Sequence, residues 1–135
     1  NVTSFLNTLL IDLDFFKHVN DNYGHGFGDI ILVEFARLLT KHVKNKGIAV
    51  RFGGEEFMLV LKGMNTDEIG KMLEHIRREY KEYTKHEKNI ECSFSSGVQH
   101  YTEGIAVTVL YRLADEKLYA AKERGRNQDV FDLES

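Results

Sequence analysis

Arg51-Phe52-Gly53-Gly54-Glu55-Glu56-Phe57 joins two short apolar runs, residues 48–50 and 58–61. The runs predict two β-strands, and the two glycines between them predict a hairpin, because glycine readily adopts the positive φ of tight turns. Two acids follow the glycines directly. Adjacent carboxylates repel each other unless a cation lies between them, so this pair indicates either a metal site or a solvated acidic hairpin tip.

A second acidic pair, Asp12 and Asp14, ends the apolar run of residues 8–11. Such a run is typical of a central strand that is buried on both faces. Residues two apart on a strand point to the same side, so the two carboxylates could share a face. A buried carboxylate is costly without a metal or a donor, which favours a functional role for Asp12. Asp14 precedes a short predicted helix, and we interpret it as the N-cap of that helix.

The composition predicts a single soluble domain. A chain of 135 residues can bury one core, and its 42% hydrophobic and 29% charged residues are ordinary for a globular protein. The net charge of −3 argues against a nucleic-acid partner. The single Cys92 excludes an internal disulfide, and no apolar run is long enough for a membrane span. We therefore expect no membrane contact from this chain and a cytoplasmic location, with the cytoplasmic part of a membrane-anchored sensor as one form of it.

The remaining pattern predicts four helices and two further strands. Residues 15–20 can form a short helix, Asp29 can cap a second, Asn65 begins a third with a capping box, and the fourth runs from about Thr108 to Gly125. Residues 92–101 and 130–131 read as strands. The order β-α-α-β-β-α-β-α-β predicts an α+β fold, with a mixed or largely antiparallel sheet of about five strands and helices packed around it.

If the first strand lies beside the hairpin, Asp12 and Glu55 come close together. With the Leu13 carbonyl, their carboxylates could hold Mg²⁺, whose remaining positions would be filled by water and phosphate oxygens. The pattern therefore predicts a substrate that carries phosphate. Three basic residues could neutralise the phosphate charge: Lys17, Lys122 and Arg126.

Several separated motifs, in this order, resemble those of the GGDEF family, the diguanylate cyclase domains. They are Asp12-Leu13-Asp14-Phe15-Phe16-Lys17 with Asn20-Asp21, Gly24-His25 with Gly28-Asp29, the hairpin stretch from Arg51 to Phe57, and Ala114-Asp115, Leu118-Tyr119, Ala121-Lys122 and Gly125-Arg126-Asn127. The resemblance covers essentially the whole chain. It implies one domain over residues 1–135, with a nucleotidyl-cyclase or palm-like arrangement.

The resemblance implies condensation of two GTP molecules into cyclic di-GMP, with release of pyrophosphate, by two-metal phosphoryl-type transfer across a homodimer. The metal would be Mg²⁺, with Mn²⁺ as an alternative, and its ligands would be Asp12, the Leu13 carbonyl and Glu55. Glu56 is a further candidate ligand. The residues expected to take part in the chemistry are Glu55, Glu56 and Lys17.

The same resemblance implies how GTP is held. Asn20 and Asp29 would bind the guanine edge, because an amide and a carboxylate match its N–H groups and adenine lacks that pattern. The backbone N–H groups of Phe15, Phe16 and Lys17 would bind the phosphates. Lys122 and Arg126 would contact the γ-phosphate. Gly53 and Gly54 would leave space for the nucleotide against the backbone.

The chain departs from the family pattern in two places. Residues 1–7 lack the usual Asp-x-Leu-Thr motif and its helix, so we expect a fragment of a larger protein that carries a sensor or regulatory domain. Lys44 and Gly47 occupy the positions of the inhibitory Arg-x-x-Asp motif. A lysine cannot make the bidentate contacts of an arginine, so we expect the inhibitory site to be absent.

Two other functions fit the same sequence. One is a catalytically silent module that binds GTP and regulates a larger signalling protein. The other is a dimerisation scaffold, which would not need Asn20, Asp29 and Lys122 together. Formation of cyclic di-GMP from GTP separates the three interpretations.

Overall fold

The computed structural model describes residues 6–134, and it confirms the predicted order of elements. The elements are β1 (Leu6–Leu13), α1 (Phe16–Tyr23), α2 (His25–Val43), β2 (Gly47–Gly53), β3 (Glu56–Lys62), α3 (Thr66–Lys88), β4 (Phe94–His100), α4 (Val107–Glu123) and β5 (Asp129–Val130). Most of the N-terminal departure from the family pattern, residues 1–5, lies outside the described residues. Among the helices of residues 6–134, none combines the length and the hydropathy that a membrane span needs.

The strands form one mixed sheet in the order β2-β3-β1-β4-β5. The central strand, β1, is antiparallel to both of its neighbours, so that Leu10 pairs with Met58 of β3 and with Gly97 of β4. The two-residue β5 is parallel to β4. The predicted position of β1 beside the hairpin is confirmed, and this position brings the end of β1 next to the hairpin turn.

An aromatic cluster fills the core on one face of the sheet. Phe35 of α2 contacts Phe57, Tyr80 and Phe94, with ring centroids 5.2, 5.0 and 5.3 Å away. All four rings are buried, and packed aromatic pairs add stability beyond the area they bury. These contacts hold α2 and α3 on that face. On the opposite face α4 packs over Leu10, so both faces of β1 are covered.

Of the three helix caps predicted from the sequence, one is confirmed and two are wrong. The capping box of α3 is confirmed, since the Glu68 N–H donates to Asn65 Oδ1 and the Asn65 N–H donates to Glu68 Oε1, both at 2.9 Å. Asp14 is not the N-cap of α1, because Phe15 holds that position and no side chain caps it. Asp29 is not a cap either. Gly24, at a φ of 89°, lets α2 begin at His25, which places Asp29 inside the helix.

Gly97 allows α4 to pack directly on β4. A Cβ atom built there would lie 2.3 Å from both the Ala114 carbonyl oxygen and the Leu118 nitrogen. Because these are backbone atoms, Gly97→Ala should shift α4 and lower the free energy of unfolding by about 1–3 kcal/mol. Gly26→Ala is the control, since a Cβ there meets nothing within 4 Å and alanine favours a helix. Urea denaturation that gives equal stability for the two variants would contradict this packing.

Candidate active site

The hairpin turn differs slightly from the prediction. Gly53 is the last residue of β2, so Gly54 and Glu55 form the turn and β3 begins at Glu56. Gly54 has a φ of 34°, and its carbonyl oxygen accepts a 2.8 Å hydrogen bond from Arg51 Nε. The Glu55 carbonyl oxygen accepts from the Leu13 N–H at 3.2 Å. This bond fixes the turn against the end of β1.

The acids from β1 and the hairpin lie side by side. Asp12 pairs in register with Glu56, and Asp12 is only 8% exposed. Asp12 Oδ2 accepts a hydrogen bond from Lys122 Nζ at the end of α4. Asp12 Oδ1 is buried and has no hydrogen-bond partner. The structure therefore brings together Asp12, Glu55, Glu56 and Lys122, and it leaves one carboxylate oxygen unsatisfied.

Burial and repulsion raise the pKa of two of these acids. The pKa of the Asp12 carboxyl is raised mainly by burial; Lys122 opposes the shift, and the charges of Glu55 and Asp14 add to it. Burial also raises the pKa of Glu56, followed by repulsion from Asp12 and Glu55. The lysine thus leaves part of the negative charge uncompensated. A divalent cation would be attracted to this position.

The donor set fits a hard cation that is bound together with a phosphate. Within residues 6–134, no three His, Cys, Asp or Glu side chains are grouped closely enough to hold a metal ion by themselves. The unpartnered Asp12 Oδ1, the Leu13 carbonyl and the Glu55 carboxylate are all oxygen donors. Mg²⁺ is commonly held by one or two carboxylates, with waters and substrate phosphates completing its octahedron.

The turn after α4 contacts the start of α1. Phe15 has a φ of 57°, and the residue is 65% exposed. The Arg126 guanidinium lies over this ring, 4.9 Å from its centroid. Arg126, Lys122 and the Phe15 backbone were predicted from separate motifs, and the fold brings them to the same end of the sheet.

Asn20 lies against the backbone of Gly28. A Cβ at residue 28 would be 1.8 Å from Asn20 Oδ1, so only glycine leaves space for this amide. Asn20 Oδ1 is buried without a partner, whereas Asp29, the next residue after Gly28, is exposed. An unsatisfied amide oxygen beside an exposed carboxylate suits a ligand edge that carries N–H donors.

Two residues that were predicted to contact the substrate, Lys17 and Gly53, lie against other residues of the chain. The Lys17 side chain is 90% exposed and pairs with Asp21 of the same helix at 2.9 Å. Gly53 faces Glu56, since a Cβ there would lie 3.3 Å from Glu56 Oε1. The roles of Lys17 and Gly53 toward a substrate stay predictions.

The role of Asp14 was missed in the sequence. This residue is 6% exposed, and its carboxylate accepts from the hydroxyls of Ser93 at 2.7 Å and Ser95 at 2.6 Å, and from the Asn127 N–H at 3.0 Å. A buried carboxylate needs several donors. Two serines at alternate positions were the signal that could have suggested this contact, but nothing local indicated their partner.

The fold adds a steric reason to the predicted loss of the inhibitory motif. Gly47 begins β2 with a φ outside the left-handed region, so backbone strain does not oppose a side chain there. A Cβ atom at Gly47 would, however, lie 1.9 Å from the Val60 carbonyl oxygen of β3. An aspartate at this position therefore does not fit the paired hairpin.

We expect Gly47→Asp to lower the free energy of unfolding by about 1–3 kcal/mol, because β2 must move away from β3. Lys44→Arg is the control and should change stability by less than about 0.5 kcal/mol, since Lys44 is exposed. Urea denaturation measures both values. The double variant should consequently not regain tight product binding in calorimetry. Native stability together with strong cyclic di-GMP binding in that variant would contradict the steric argument.

Comparisons with known sequences and with solved structures point to the same family. The profile of the family described as "Diguanylate cyclase, GGDEF domain" matches residues 2–128. Diguanylate cyclase A of Treponema denticola is 39% identical over 127 residues, which cover 91% of this chain and 34% of that protein. The chain thus spans about a third of the length of this curated relative.

Two solved structures share the fold. The active GGEEF domain of a diguanylate cyclase from Vibrio cholerae is 33% identical with a TM-score of 0.85, and the alignment covers 96% of this chain and 84% of that one. The GGDEF domain of DgcB from Caulobacter crescentus, in complex with c-di-GMP, is 28% identical with a TM-score of 0.84 and coverages of 93% and 76%.

Proposed function

Since this chain belongs to the GGDEF family, we propose that it condenses two GTP molecules into cyclic di-GMP and two pyrophosphates. The observation that carries the proposal is the acidic cluster at the hairpin turn. Asp12 has a buried, unpartnered oxygen there, and the backbone bond from Leu13 to Glu55 fixes the turn that carries the second carboxylate. A buried anionic oxygen without a donor is costly unless a cation binds it.

Asn20 and Asp29 would select guanine. Asn20 Oδ1 needs a donor, and the Asp29 carboxylate can accept from the N1–H and N2–H₂ groups of guanine. Adenine presents an acceptor at N1 and no amino group at C2, so it would leave both residues unsatisfied. This mismatch is the physical basis for a preference for GTP over ATP.

The phosphates would lie between the end of β1 and the end of α4. Mg²⁺ held by Asp12, the Leu13 carbonyl and Glu55, with Mn²⁺ as an alternative, would lower the pKa of the ribose 3′-OH and stabilise charge on the α-phosphate and the pyrophosphate. Arg126 can contact the γ-phosphate bidentately, and Lys122 can share its ammonium between Asp12 and a phosphate oxygen. Glu56 would add negative charge that strengthens cation binding.

The reaction needs a second copy of the chain. In each of the two bond-forming steps, the 3′-hydroxyl of one GTP loses its proton, its oxygen bonds to the α-phosphorus of the other GTP, and the bond from that phosphorus to pyrophosphate breaks. Each chain would hold one GTP, so two chains must face each other. We therefore propose that a homodimer forms, at least during turnover, and that the rate per chain rises with protein concentration.

Incubation with GTP and Mg²⁺ tests the proposal, with chromatography of the products. We expect cyclic di-GMP and two pyrophosphates for each cyclic product, and neither of them when the metal is chelated or ATP replaces GTP. Tight GTP binding without product would instead support the silent regulatory module. Absence of both binding and product would contradict the proposed function.

A further inference from the structure

The turn after α4 has an unusual backbone. Gly125, Arg126 and Asn127 have φ angles of 111°, 63° and 52°, so three consecutive residues lie in the left-handed region. Only the first of them is glycine, and other L-residues rarely adopt this region. Non-glycine residues persist in such conformations only where the surrounding structure holds them there, and this commonly occurs at functional sites. We call residues 125–127 the left-handed turn.

One set of contacts holds the left-handed turn from the end of β1. The Asn127 N–H donates to Asp14 Oδ2 at 3.0 Å, and two serine hydroxyls fix the same carboxylate. The Arg126 guanidinium stacks over the ring of Phe15, which is itself left-handed with a φ of 57°. Two unfavourable backbone segments are thereby fixed against each other.

A second set holds the turn from α3. Asp129, two residues after the turn, has a side chain that is 7% exposed and pairs with Arg77, at 2.7 Å to Nη2 and 3.0 Å to Nη1. Ser96 of β4 also donates to Asp129 Oδ1 at 2.7 Å. Arg77 is fixed in turn, since its Nη2 donates to the Phe94 carbonyl at 3.2 Å and its guanidinium lies 4.2 Å from the centre of the Phe94 ring.

From these contacts we propose that Arg77 and Asp129, together with Asp14, are positioning residues that hold the left-handed turn so that Arg126 faces the terminal phosphate of GTP. The inference rests on the proposed function. Arg77 lies in the middle of α3 and pairs with Asp129, which follows the turn, so it acts through that residue and not by touching the substrate. If the pair is lost, residues 126 and 127 can relax to negative φ, and the Arg126 guanidinium then leaves the Phe15 ring.

The test variant is Asp129→Asn, which keeps the volume and removes the charge that pairs with Arg77. The matched control is Glu79→Gln, because Glu79 also joins α3 to a neighbouring element, through Lys41 at 2.7 Å and His42 at 2.5 Å. Calorimetry would measure the Kd of two ligands in the presence of Mg²⁺: GMP, and an α,β-methylene analogue of GTP, which cannot release pyrophosphate. GMP lacks the β- and γ-phosphates and reports the contacts of the guanine, the ribose and the α-phosphate.

We expect Asp129→Asn to raise the Kd of the GTP analogue about tenfold and to leave the Kd of GMP within about twofold, because only the terminal phosphate loses its contact. Glu79→Gln should leave both values unchanged. Equal weakening of both ligands would reduce Asp129 to a merely structural role and overturn the inference, and so would no change in either.

If Asp129→Asn does not fold, Ser96→Ala removes one donor to Asp129 and should raise the Kd of the analogue about threefold with the same selectivity. An unmodified protein that binds the analogue but makes no product from GTP would contradict the proposed function and leave this test valid.

Discussion

Glu55→Gln is expected to reduce cyclic di-GMP formation by on the order of 10²-fold or more, since the variant loses one charge-stabilising group at the reacting phosphate. The side chain keeps its size and can still accept a hydrogen bond. The backbone bond from Leu13 to the Glu55 carbonyl does not depend on the side chain, so the turn should keep its position. The loss should therefore appear in the rate and not in the fold.

Initial rates at saturating GTP and Mg²⁺ measure this effect, and a thermal melt checks the fold. Glu82→Gln is a suitable control, because Glu82 is an exposed residue of α3, the helix that packs on the opposite face of the sheet from Lys122. It should retain the full rate. Unchanged turnover in Glu55→Gln would show that Glu55 does not bind a metal that the reaction needs.

The second large effect concerns the choice of base. Removing Asp29, or replacing Asn20 by alanine, should weaken GTP binding by about 1–3 kcal/mol, because a polar group of the guanine loses its partner in a partly buried site. The unmodified protein should bind ATP poorly, for the converse reason. Both variants should bring the affinities for GTP and ATP closer together.

Calorimetric titration of each protein with GTP and with ATP decides the matter. Glu34→Gln is the control, because Glu34 lies on the same helix as Asp29 and pairs with Arg37 on the surface of α2. The glutamine has nearly the same size as the glutamate, and this variant should preserve the preference for GTP. Equal affinity of the unmodified protein for the two nucleotides would remove Asn20 and Asp29 from the base site.

Local sequence patterns predicted the order of the helices and strands. The features that they did not predict depend on contacts between residues that are far apart in the sequence. The capping box at Asn65 depends on residues three apart, so the sequence contains all of it. The sequence around Asp14 indicated a helix N-cap, but the residues that donate to its carboxylate include Ser93 and Asn127, which lie 79 and 113 residues away. No periodicity in the sequence indicates such partners.

Arg77 is a similar case. Its charge is typical of a solvent-exposed helix face, yet it is buried against Asp129, 52 residues later. The motifs did predict that Asp12, Glu55 and Lys122 lie together at the end of β1, because each lies near the end of a recognisable element. The orientation of Lys17 toward Asp21 was not predictable, since a long exposed side chain has many rotamers of similar energy.

The central position of β1 has a consequence for synthesis of the chain. Leu10 pairs with Met58 on one side and Gly97 on the other, so β1 emerges from the ribosome long before either neighbour exists. Pairings between distant segments form slowly, and an unpaired apolar strand invites aggregation in the meantime. Asp12 and Asp14 place charge directly at the end of this segment, where gatekeeper residues protect exposed strands. Removing either acid should therefore reduce the yield of soluble protein, an effect that arises in the nascent chain before any active site exists.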